Sequence, residues 1–310
     1  MNKVLVTGAT GFLGRNVLPA LLRRGWEVHA TSRHAPSGAG AETVRWHEVD
    51  LLDRAGVRSL VQTVRPVGLV HLAWDTTHGA YWKSPANLEW TAASLHLLRD
   101  FAAAGGRRVV VAGSSAEYEW GGEEPLDEMR SRLCPDSPYG TCKNALRQIV
   151  EAWAPGAGVS WAWGRIFNIF GPEEKPVRLV PKVMRTLIQG KPLPFDDGRL
   201  VRDFLHVADA GDAFGALFAS EVQGAVNVAS GEPVAIREVV TTIAAALGAS
   251  RQVAFDALPS PAGQPARVVA ATARLCDEVG WQPATGLAQR LGETCAWWRA
   301  QPALSVARTH

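Results

Sequence analysis

A glycine-rich stretch near the start of the chain lies between an apolar run and a segment with helical spacing. The run Lys3 to Thr7 is short and apolar, which is typical of a buried parallel strand. Apolar residues recur at helical spacing from Phe12 to Arg24. Glycines at such a junction allow a tight turn and a close approach to a phosphate, and the helix N-terminus supplies free N–H groups. The pattern predicts a dinucleotide-binding turn, formed by Gly8, Thr10, Gly11, Phe12, Leu13 and Gly14.

The glycine spacing is Gly-x-x-Gly-x-x-Gly rather than Gly-x-Gly-x-x-Gly, so a glycine-rich turn without a ligand is the alternative. Strand-like and helix-like segments then alternate up to residue 166, which predicts an α/β fold with a Rossmann-type, doubly wound parallel sheet. After Gly171-Pro172 the pattern becomes irregular and rich in proline. We expect a smaller C-terminal α/β substrate-binding region there.

The domain prediction assigns residues 1–166 and about 203–230 to dinucleotide binding, and about 167–202 and 231–310 to the substrate. Within it, a strand at Asp203 to Val207 is expected to return to the main sheet. A helix is expected near Ala271 to Val279. Helices are also predicted at Ile236 to Leu247 and Leu287 to Arg299.

Composition narrows the class of protein. Hydrophobic residues make up 47% of the 310 residues, which is enough for a large core. The net charge of +2 argues against nucleic-acid binding driven by charge. Four widely spaced cysteines predict neither a metal site nor a disulfide framework. No apolar run of about 18 residues and no leader sequence is evident, so we expect a cytoplasmic protein without a membrane anchor.

The end of the second predicted strand bears on the choice of cofactor. An acidic residue at this position would bind the 2′-hydroxyl of NAD, whereas an arginine suits the 2′-phosphate of NADP. Here the strand ends in Thr31-Ser32-Arg33 and no acid follows. Arg33 and Ser32 can both bind a phosphate, so NADP is favoured and NAD is the second choice. An arginine that is merely solvated in a loop is the alternative.

Tyr139 and Lys143 are four residues apart at the start of a predicted helix. This spacing places both side chains on one helix face. A nearby ammonium group favours the phenolate, so the pKa of the tyrosine is expected to fall and the tyrosine can then transfer a proton. Alone, the pair would more often be a surface pair than a catalytic one.

Together, these motifs resemble the extended short-chain dehydrogenase/reductases, and most of all their nucleotide-sugar epimerase/dehydratase/reductase branch. The resemblance covers nearly the whole chain. It is carried by the order and spacing of the glycine turn, Asp50-Leu51, His71-Leu72-Ala73, Asn87, Ser114-Ser115, Tyr139-x-x-x-Lys143, Arg165 to Asn168, Gly171-Pro172, Arg202 to Val207, Gly280 to Pro283 and Trp297 to Arg299.

The resemblance implies roles for the matching residues. Tyr139 would be the acid/base, Lys143 would hold the nicotinamide ribose and tune Tyr139, and Ser115 would bind the reacting oxygen. Ser115 could instead be a strand-end cap. Arg202 could instead form an ion pair with Asp203. The remaining candidates are Ser32, Arg33, Asp50, Leu51, Leu72 and Ala73 for the cofactor, and Glu117, Asn168, Arg178, Arg202 and Arg267 for the substrate.

Residues after the catalytic serine separate the reactions of this branch. The 4,6-dehydratases carry Asp-Glu there, whereas this chain has Ala116-Glu117, which disfavours dehydration. No cysteine follows Ser115, which disfavours a 3,5-epimerase/reductase. We therefore expect an NADP-dependent reductase of a nucleotide-linked 4-keto-6-deoxy sugar. The alternatives are an NAD-dependent 4-epimerase and, in another class, a non-catalytic dinucleotide-binding redox sensor. The resemblance also implies a homodimer, formed through helices at about Asn87 to Ala104 and Tyr139 to Ala154.

Overall fold

The computed structural model describes residues 2–34 and 43–301. The two predicted domains begin at residue 1 and end at residue 310, so their outermost ends lie outside the described residues. A seven-stranded parallel sheet forms the centre of the molecule, in the order β11-β6-β5-β4-β1-β2-β3. Its strands are β1 (Lys3–Thr7), β2 (Glu27–Ser32), β3 (Arg45–Glu48), β4 (Gly68–His71), β5 (Arg108–Ser114), β6 (Ser160–Ile166) and β11 (Gly224–Val228).

The central strands of this sheet are apolar throughout, so both of its faces must be buried, and helices cover both faces. The helices of this part of the chain are α1 (Gly14–Arg23), α2 (Arg54–Val64), α3 (Ala86–Ala103), α4 (Pro138–Trp153) and α6 (Val207–Ala219). Leu21 and Phe214 pack α1 and α6 on one face. Val57, Leu97 and Leu146 pack α2, α3 and α4 on the other. The predicted doubly wound α/β fold is confirmed.

The strand order reverses at β1, which has β2 on one side and β4 on the other. The helix that follows β1, α1, packs on one face of the sheet, and the helix that follows β4, α3, packs on the other. A crevice opens outside the carboxyl ends at such a switch point, and ligands bind there in folds of this type. The fold therefore places the glycine turn after β1 and the residues after β4 and β5 at one edge of the sheet.

A second hydrophobic cluster lies in the C-terminal half of the chain and contains Met184, Ile243 and Trp298. These side chains come from three helices that pack on one another. The remaining elements are β7 (Asn168–Phe170), α5 (Leu179–Ile188), β8 (Leu193–Pro194), β9 (Val201–Arg202), β10 (Phe204–His206), β12 (Val234–Ala235), α7 (Ile236–Leu247), β13 (Val253–Ala254), β14 (Arg267–Val268) and α8 (Leu287–Arg299).

Two expectations about this half are wrong. The strand at residues 204–206 does not return to the main sheet, because it pairs in parallel with β7 in a separate two-stranded sheet. The segment near Ala271 to Val279 forms only one short π-helical turn, Arg274–Glu278. Leu275 of that turn packs in the cluster around α1 and α6. The assignment of residue ranges to two domains stays a prediction.

Candidate active site

The crevice at the carboxyl edge of the sheet holds a cavity of about 300 Å³. Several parts of the chain line it: the glycine turn, the ends of β4, β5 and β6, the loop after β4, the start of α4, and β7 with the loop that follows it. The lining includes these predicted residues: Gly8, Gly11, Phe12, Leu13, Gly14, Leu72, Ala73, Tyr139, Lys143 and Arg178.

The glycine turn fits a dinucleotide sterically. Gly8 has a φ of +68°, and a Cβ atom at this position would lie 2.7 Å from the backbone nitrogen of Ala73. A Cβ atom on Gly14 would collide with the carbonyl oxygen of Gly8. No side chain caps the N-terminus of α1 and no acidic residue stands in its first turn, so the free N–H groups and the helix dipole favour an anion. These residues could hold the pyrophosphate of a nicotinamide dinucleotide.

Lys143 is buried beside the cavity. Its Nζ atom donates a hydrogen bond to the carbonyl oxygen of Ala112 at 2.9 Å and lies 3.8 Å from the ring centroid of Trp74. Burial lowers the pKa of Lys143 to about 7, although the charge of Glu117 acts in the opposite direction. The ammonium form is therefore costly in this pocket, and an anionic or hydroxyl-rich ligand beside it would favour that form.

Tyr139 lies at the second position of α4, after the N-cap Ser137, whose side chain accepts a hydrogen bond from the backbone of Gly140. Burial raises the pKa of Tyr139, and a hydrogen bond with the Ser114 side chain opposes this rise. The pKa of Tyr139 is therefore not lowered as predicted, because the loss of solvation outweighs the hydrogen bond with Ser114 and Lys143 is not among the groups that lower this pKa. Tyr139 is held as a neutral phenol, which is the form that can donate a proton.

Ser114, rather than the predicted Ser115, lines the cavity. Ser114 is the last residue of β5, its backbone is extended, and its side chain also accepts a hydrogen bond from the backbone of Ala116. Ser115 begins a 3₁₀ turn, and its carbonyl oxygen accepts a hydrogen bond from Trp120 Nε1 at 2.8 Å. The chain thus turns directly after Ser114, so the hydroxyl group beside Tyr139 belongs to the earlier of the two serines.

Glu117, expected to contact the substrate, is completely buried. Its Oε1 atom accepts hydrogen bonds from the backbone N–H of Ser114 and from Trp163 Nε1, both at 2.8 Å. Its Oε2 atom accepts a hydrogen bond from Arg165 Nε at 2.8 Å. A charge removed from water needs such partners. Substrate contact by Glu117 is therefore wrong, and the carboxylate supports the turn that carries Ser114.

An aromatic wall, formed by Trp74, Tyr81, Trp82 and Trp120, borders Tyr139. The ring of Tyr81 meets that of Tyr139 edge to face at 4.9 Å between centroids, and the ring of Trp82 does so at 5.6 Å. Trp120 contacts Trp82 in the same way at 6.2 Å. Edge-to-face contacts fix ring orientation. The wall covers the buried ring of Tyr139, and its members Trp74 and Tyr81 give the cavity an apolar surface.

The loop after β7 contributes charged residues that sequence reasoning missed, apart from Arg178. Glu174 lines the cavity, is only 6% exposed, and forms an ion pair with Arg178 at 3.5 Å. Burial raises the pKa of Glu174 to about 7, against the opposing charge of Arg178. Arg178 also hydrogen-bonds to Tyr81. The position of this loop after a strand end was the one signal in the sequence that could have drawn attention to Glu174.

Several other predicted residues are not among the described residues that line the cavity. Asn168 Nδ2 donates a hydrogen bond to the carbonyl oxygen of Asp203, and Arg202 donates one to the carbonyl oxygen of Val201. Arg267 is half-buried in β14 beside β9. The carboxylate of Asp203 accepts hydrogen bonds from Ser230 and Gly231, so the alternative ion pair between Arg202 and Asp203 is not formed either.

The residues predicted to bind the adenine side of a cofactor lie near the ends of β2 and β3. Arg33 is exposed directly after β2, and its charge contributes to lowering the pKa of Asp75, after the hydrogen bonds from Thr77. Asp50 is exposed and accepts a hydrogen bond from the backbone of Leu52, while Leu51 packs against the core. Ser32 and Thr10 are half-buried. Their contact with a cofactor stays a prediction.

A doubly wound sheet whose glycine turn shares one cavity with a serine and with a buried tyrosine and lysine defines a dinucleotide-dependent enzyme of the extended short-chain dehydrogenase/reductase class. The chain belongs to the NAD dependent epimerase/dehydratase family, whose family model matches residues 4–229. The predicted family and enzymatic class are thereby confirmed, and the non-catalytic alternative is not supported.

Relatives of known function are similar over almost the whole chain. A UDP-glucose 4-epimerase of Erwinia amylovora is 27% identical over 96% of this chain and 98% of its own length. A dTDP-glucose 4,6-dehydratase of Xanthomonas campestris pv. campestris is 27% identical over 95% and 92%. The UDP-glucose 4-epimerase of Thermus thermophilus, solved as a complex with NAD, superimposes with a TM-score of 0.82 at 26% identity, covering 96% of this chain and 99% of that one.

Two further findings concern predicted absences. None of the described helices is long and apolar enough to cross a membrane. No group of three or more His, Cys, Asp or Glu side chains is arranged to hold a metal ion within residues 2–34 and 43–301.

Proposed function

We propose that this protein is an NADP-dependent reductase of a nucleotide-linked 4-keto-6-deoxy sugar. The observation that carries the proposal is Arg33, an exposed arginine directly after β2, where no acidic residue follows to bind a 2′-hydroxyl. A guanidinium group matches the geometry and charge of a 2′-phosphate, whereas a carboxylate would repel it. A reductase of this kind consumes NADPH and releases NADP in each cycle, so it must bind the 2′-phosphate of a free dinucleotide.

The residues of the cavity suit reduction of a ketone. The cofactor would supply the hydride. Negative charge would then develop on the carbonyl oxygen, which Ser114 and the neutral phenol of Tyr139 can stabilise by hydrogen bonds. Tyr139 would transfer its proton to that oxygen, and Lys143, buried beside Ala112, would stabilise the phenolate that remains.

Two features disfavour elimination of water and favour a deoxy sugar. Ala116 stands where the dehydratases that this chain resembles carry an acidic residue, and its side chain is buried against Tyr81 and Tyr139. The aromatic wall offers an apolar surface beside Tyr139, and such a surface suits a methyl group better than a hydroxymethyl group, which would lose hydrogen bonds to water there.

The test is the choice between NADPH and NADH. With a 4-keto-6-deoxy sugar nucleotide as substrate, we expect the wild-type protein to oxidise NADPH in preference to NADH. Arg33→Ala should lower kcat/KM for NADPH about tenfold or more, because one charged hydrogen bond to the phosphate is lost, and should leave NADH almost unchanged. Arg65→Ala, at an exposed arginine after α2, is the matched control.

The second candidate is a 4-epimerase, which the similarity to UDP-glucose 4-epimerases favours. An epimerase keeps its dinucleotide through the cycle and consumes none. Denaturing the purified protein and identifying the released nucleotide separates the two candidates. Stoichiometric NAD, together with conversion of UDP-glucose to its 4-epimer and no oxidation of NADPH on any keto sugar nucleotide, would overturn the reductase proposal.

A further inference from the structure

A buried carboxyl group in the cavity has no role in the hydride transfer described above. Glu174 is 6% exposed and lines the same cavity as Tyr139 and Ser114. Its Oε2 atom is buried and has no hydrogen-bond partner among the described residues. A buried polar atom without a partner costs free energy, so it marks a position where a ligand could supply the missing donor.

The second oxygen atom of the Glu174 carboxyl group has a charged partner. Its Oε1 atom lies 3.5 Å from Arg178 Nε in an ion pair. Arg178 hydrogen-bonds in turn to Tyr81, whose ring meets that of Tyr139 edge to face at 4.9 Å. The carboxyl group is therefore connected through two side chains to the phenol that we place at the reacting oxygen.

The loop that carries Glu174 is held from both sides. Glu173, directly before it, forms an ion pair with Arg15 of α1. Lys175, directly after it, donates a hydrogen bond to the carbonyl oxygen of Thr76 at 3.3 Å. These two contacts tie the loop to the glycine-turn side and to the loop after β4. Glu174 is thus positioned before any ligand binds, which is what a recognition residue requires.

We propose that Glu174 recognises the sugar of the substrate by accepting a hydrogen bond from one of its ring hydroxyl groups. The inference rests on the proposed function only in assuming that the substrate is a nucleotide sugar. An ionised carboxylate can only accept hydrogen bonds, so it needs a donor. The hydroxyl groups of a sugar are such donors. The charge of Arg178 favours the ionised form against the opposing effect of burial, and the ion pair fixes the orientation of the carboxyl group.

The test compares the binding of nucleotides with and without a sugar. UDP, UDP-glucose, dTDP and dTDP-glucose are titrated calorimetrically into the dinucleotide-loaded wild-type protein and its variants. We expect Glu174→Ala to weaken the binding of the sugar nucleotides about tenfold and to leave UDP and dTDP within about twofold. Glu123→Ala, at an exposed carboxylate outside this loop and outside the lining of the cavity, should change none of these affinities by more than about twofold.

A second arm identifies the hydroxyl group. UDP-2-deoxyglucose and UDP-3-deoxyglucose are compared with UDP-glucose in the wild-type protein and in Glu174→Ala. If the inference holds, one of the two deoxy sugars binds the wild-type protein about tenfold more weakly than UDP-glucose does, and the variant no longer distinguishes the two. Thermal unfolding of each variant checks that the fold is retained.

The outcomes distinguish this inference from the proposed function. Equal weakening of UDP and UDP-glucose in Glu174→Ala would show a purely structural role, and weaker binding of NADPH alone would show contact with the cofactor; either overturns the inference. No change in any affinity would also overturn it. Sugar-dependent binding that is lost in Glu174→Ala, in a protein that oxidises no NADPH, would support recognition by Glu174 while the reductase proposal fails.

Discussion

At the scale of single residues, the burial of Lys143 has a consequence for stability as well as for the site. Its ammonium group exchanges water for one carbonyl oxygen and the face of Trp74. These contacts replace only part of the lost solvation, so burial brings the pKa of Lys143 down to about 7. The folded protein therefore loses this proton several pH units below the point at which the unfolded chain does.

This difference predicts how stability changes with pH. Between about pH 7 and pH 10 the unfolded chain binds the Lys143 proton and the folded chain does not, so the free energy of unfolding should rise with pH, by at most ~1.4 kcal/mol per pH unit. Lys143→Met removes the titrating group and should flatten that rise. Urea unfolding at pH 7 and pH 9 measures it.

The control for this prediction is Lys182→Met, at an exposed lysine of α5. It should keep the pH dependence of the wild-type protein. Parallel pH profiles of the wild-type protein and Lys143→Met would contradict the prediction, because the folded state would then bind the proton as tightly as the unfolded state.

Single-residue roles were only partly predictable from the sequence. The placement of the glycine turn, Tyr139 and Lys143 at one cavity was predictable, since their spacing on a strand–turn–helix unit or on one helix face determines where they lie. Ser114 and Glu117 were not, because the direction of a side chain at a strand end depends on where the following 3₁₀ turn begins. Glu174 needs the packing of the whole loop to become visible, since its partner Arg178 and its burial come from the tertiary structure.

At the scale of elements, the junction between β1 and α1 leaves no space for a further side chain. Gly14 begins α1, and a Cβ atom there would collide with the carbonyl oxygen of Gly8 and would lie 2.7 Å from the Cα atom of Ala9. Both neighbours are backbone atoms, so relief requires the turn itself to move. The helix start and the turn are therefore one packed unit.

Replacing Gly14 by alanine should destabilise the protein, whereas replacing Gly292 by alanine should stabilise it. Gly14→Ala is expected to lower the thermal midpoint and to weaken dinucleotide binding about tenfold or more, because the turn would shift away from the pyrophosphate. Gly292→Ala, inside α8, meets no atom within 4 Å and should stabilise the protein by about 0.5–1 kcal/mol, because alanine is the better helix former.

Thermal unfolding and cofactor titration of these two variants provide the check. If Gly14→Ala bound the dinucleotide as tightly as the wild-type protein does, the prediction would fail. The turn would then accommodate a methyl group at this position without moving. A loss of stability in Gly292→Ala would contradict the open surroundings of that position in α8.

Elements with strong periodicity were predicted almost to the residue, as α7 and α8 show. Their apolar stripes pack on each other, so pattern and tertiary structure agree. The short strand β10 was assigned to the wrong sheet, because three residues carry no information about which neighbour they pair with. The segment at 271–279 forms only the short turn Arg274–Glu278, which Leu275 and Val279 pack against the cluster around α1 and α6.

At the scale of the whole molecule, α3 and α4 leave large apolar side chains exposed. Leu88 of α3 is 70% exposed and Ile149 of α4 is 43% exposed. The two helices pack side by side on one face of the sheet. Two copies related by a two-fold axis could bury these side chains in a four-helix arrangement, and each substitution would then act twice in the interface.

We therefore expect the protein to be a homodimer in solution, with α3 and α4 at the interface. Leu88→Arg and Ile149→Arg, combined in one chain, should shift sedimentation equilibrium toward the monomer, since each dimer would have to bury four unpaired charges. Met129→Arg, at a side chain that is 80% exposed outside these helices, is the control and should leave the dimer intact. A wild-type protein that sediments as a monomer, or a double variant that remains dimeric, would contradict this assignment. In the second case the two helices would face solvent, and the copies would have to meet through another surface.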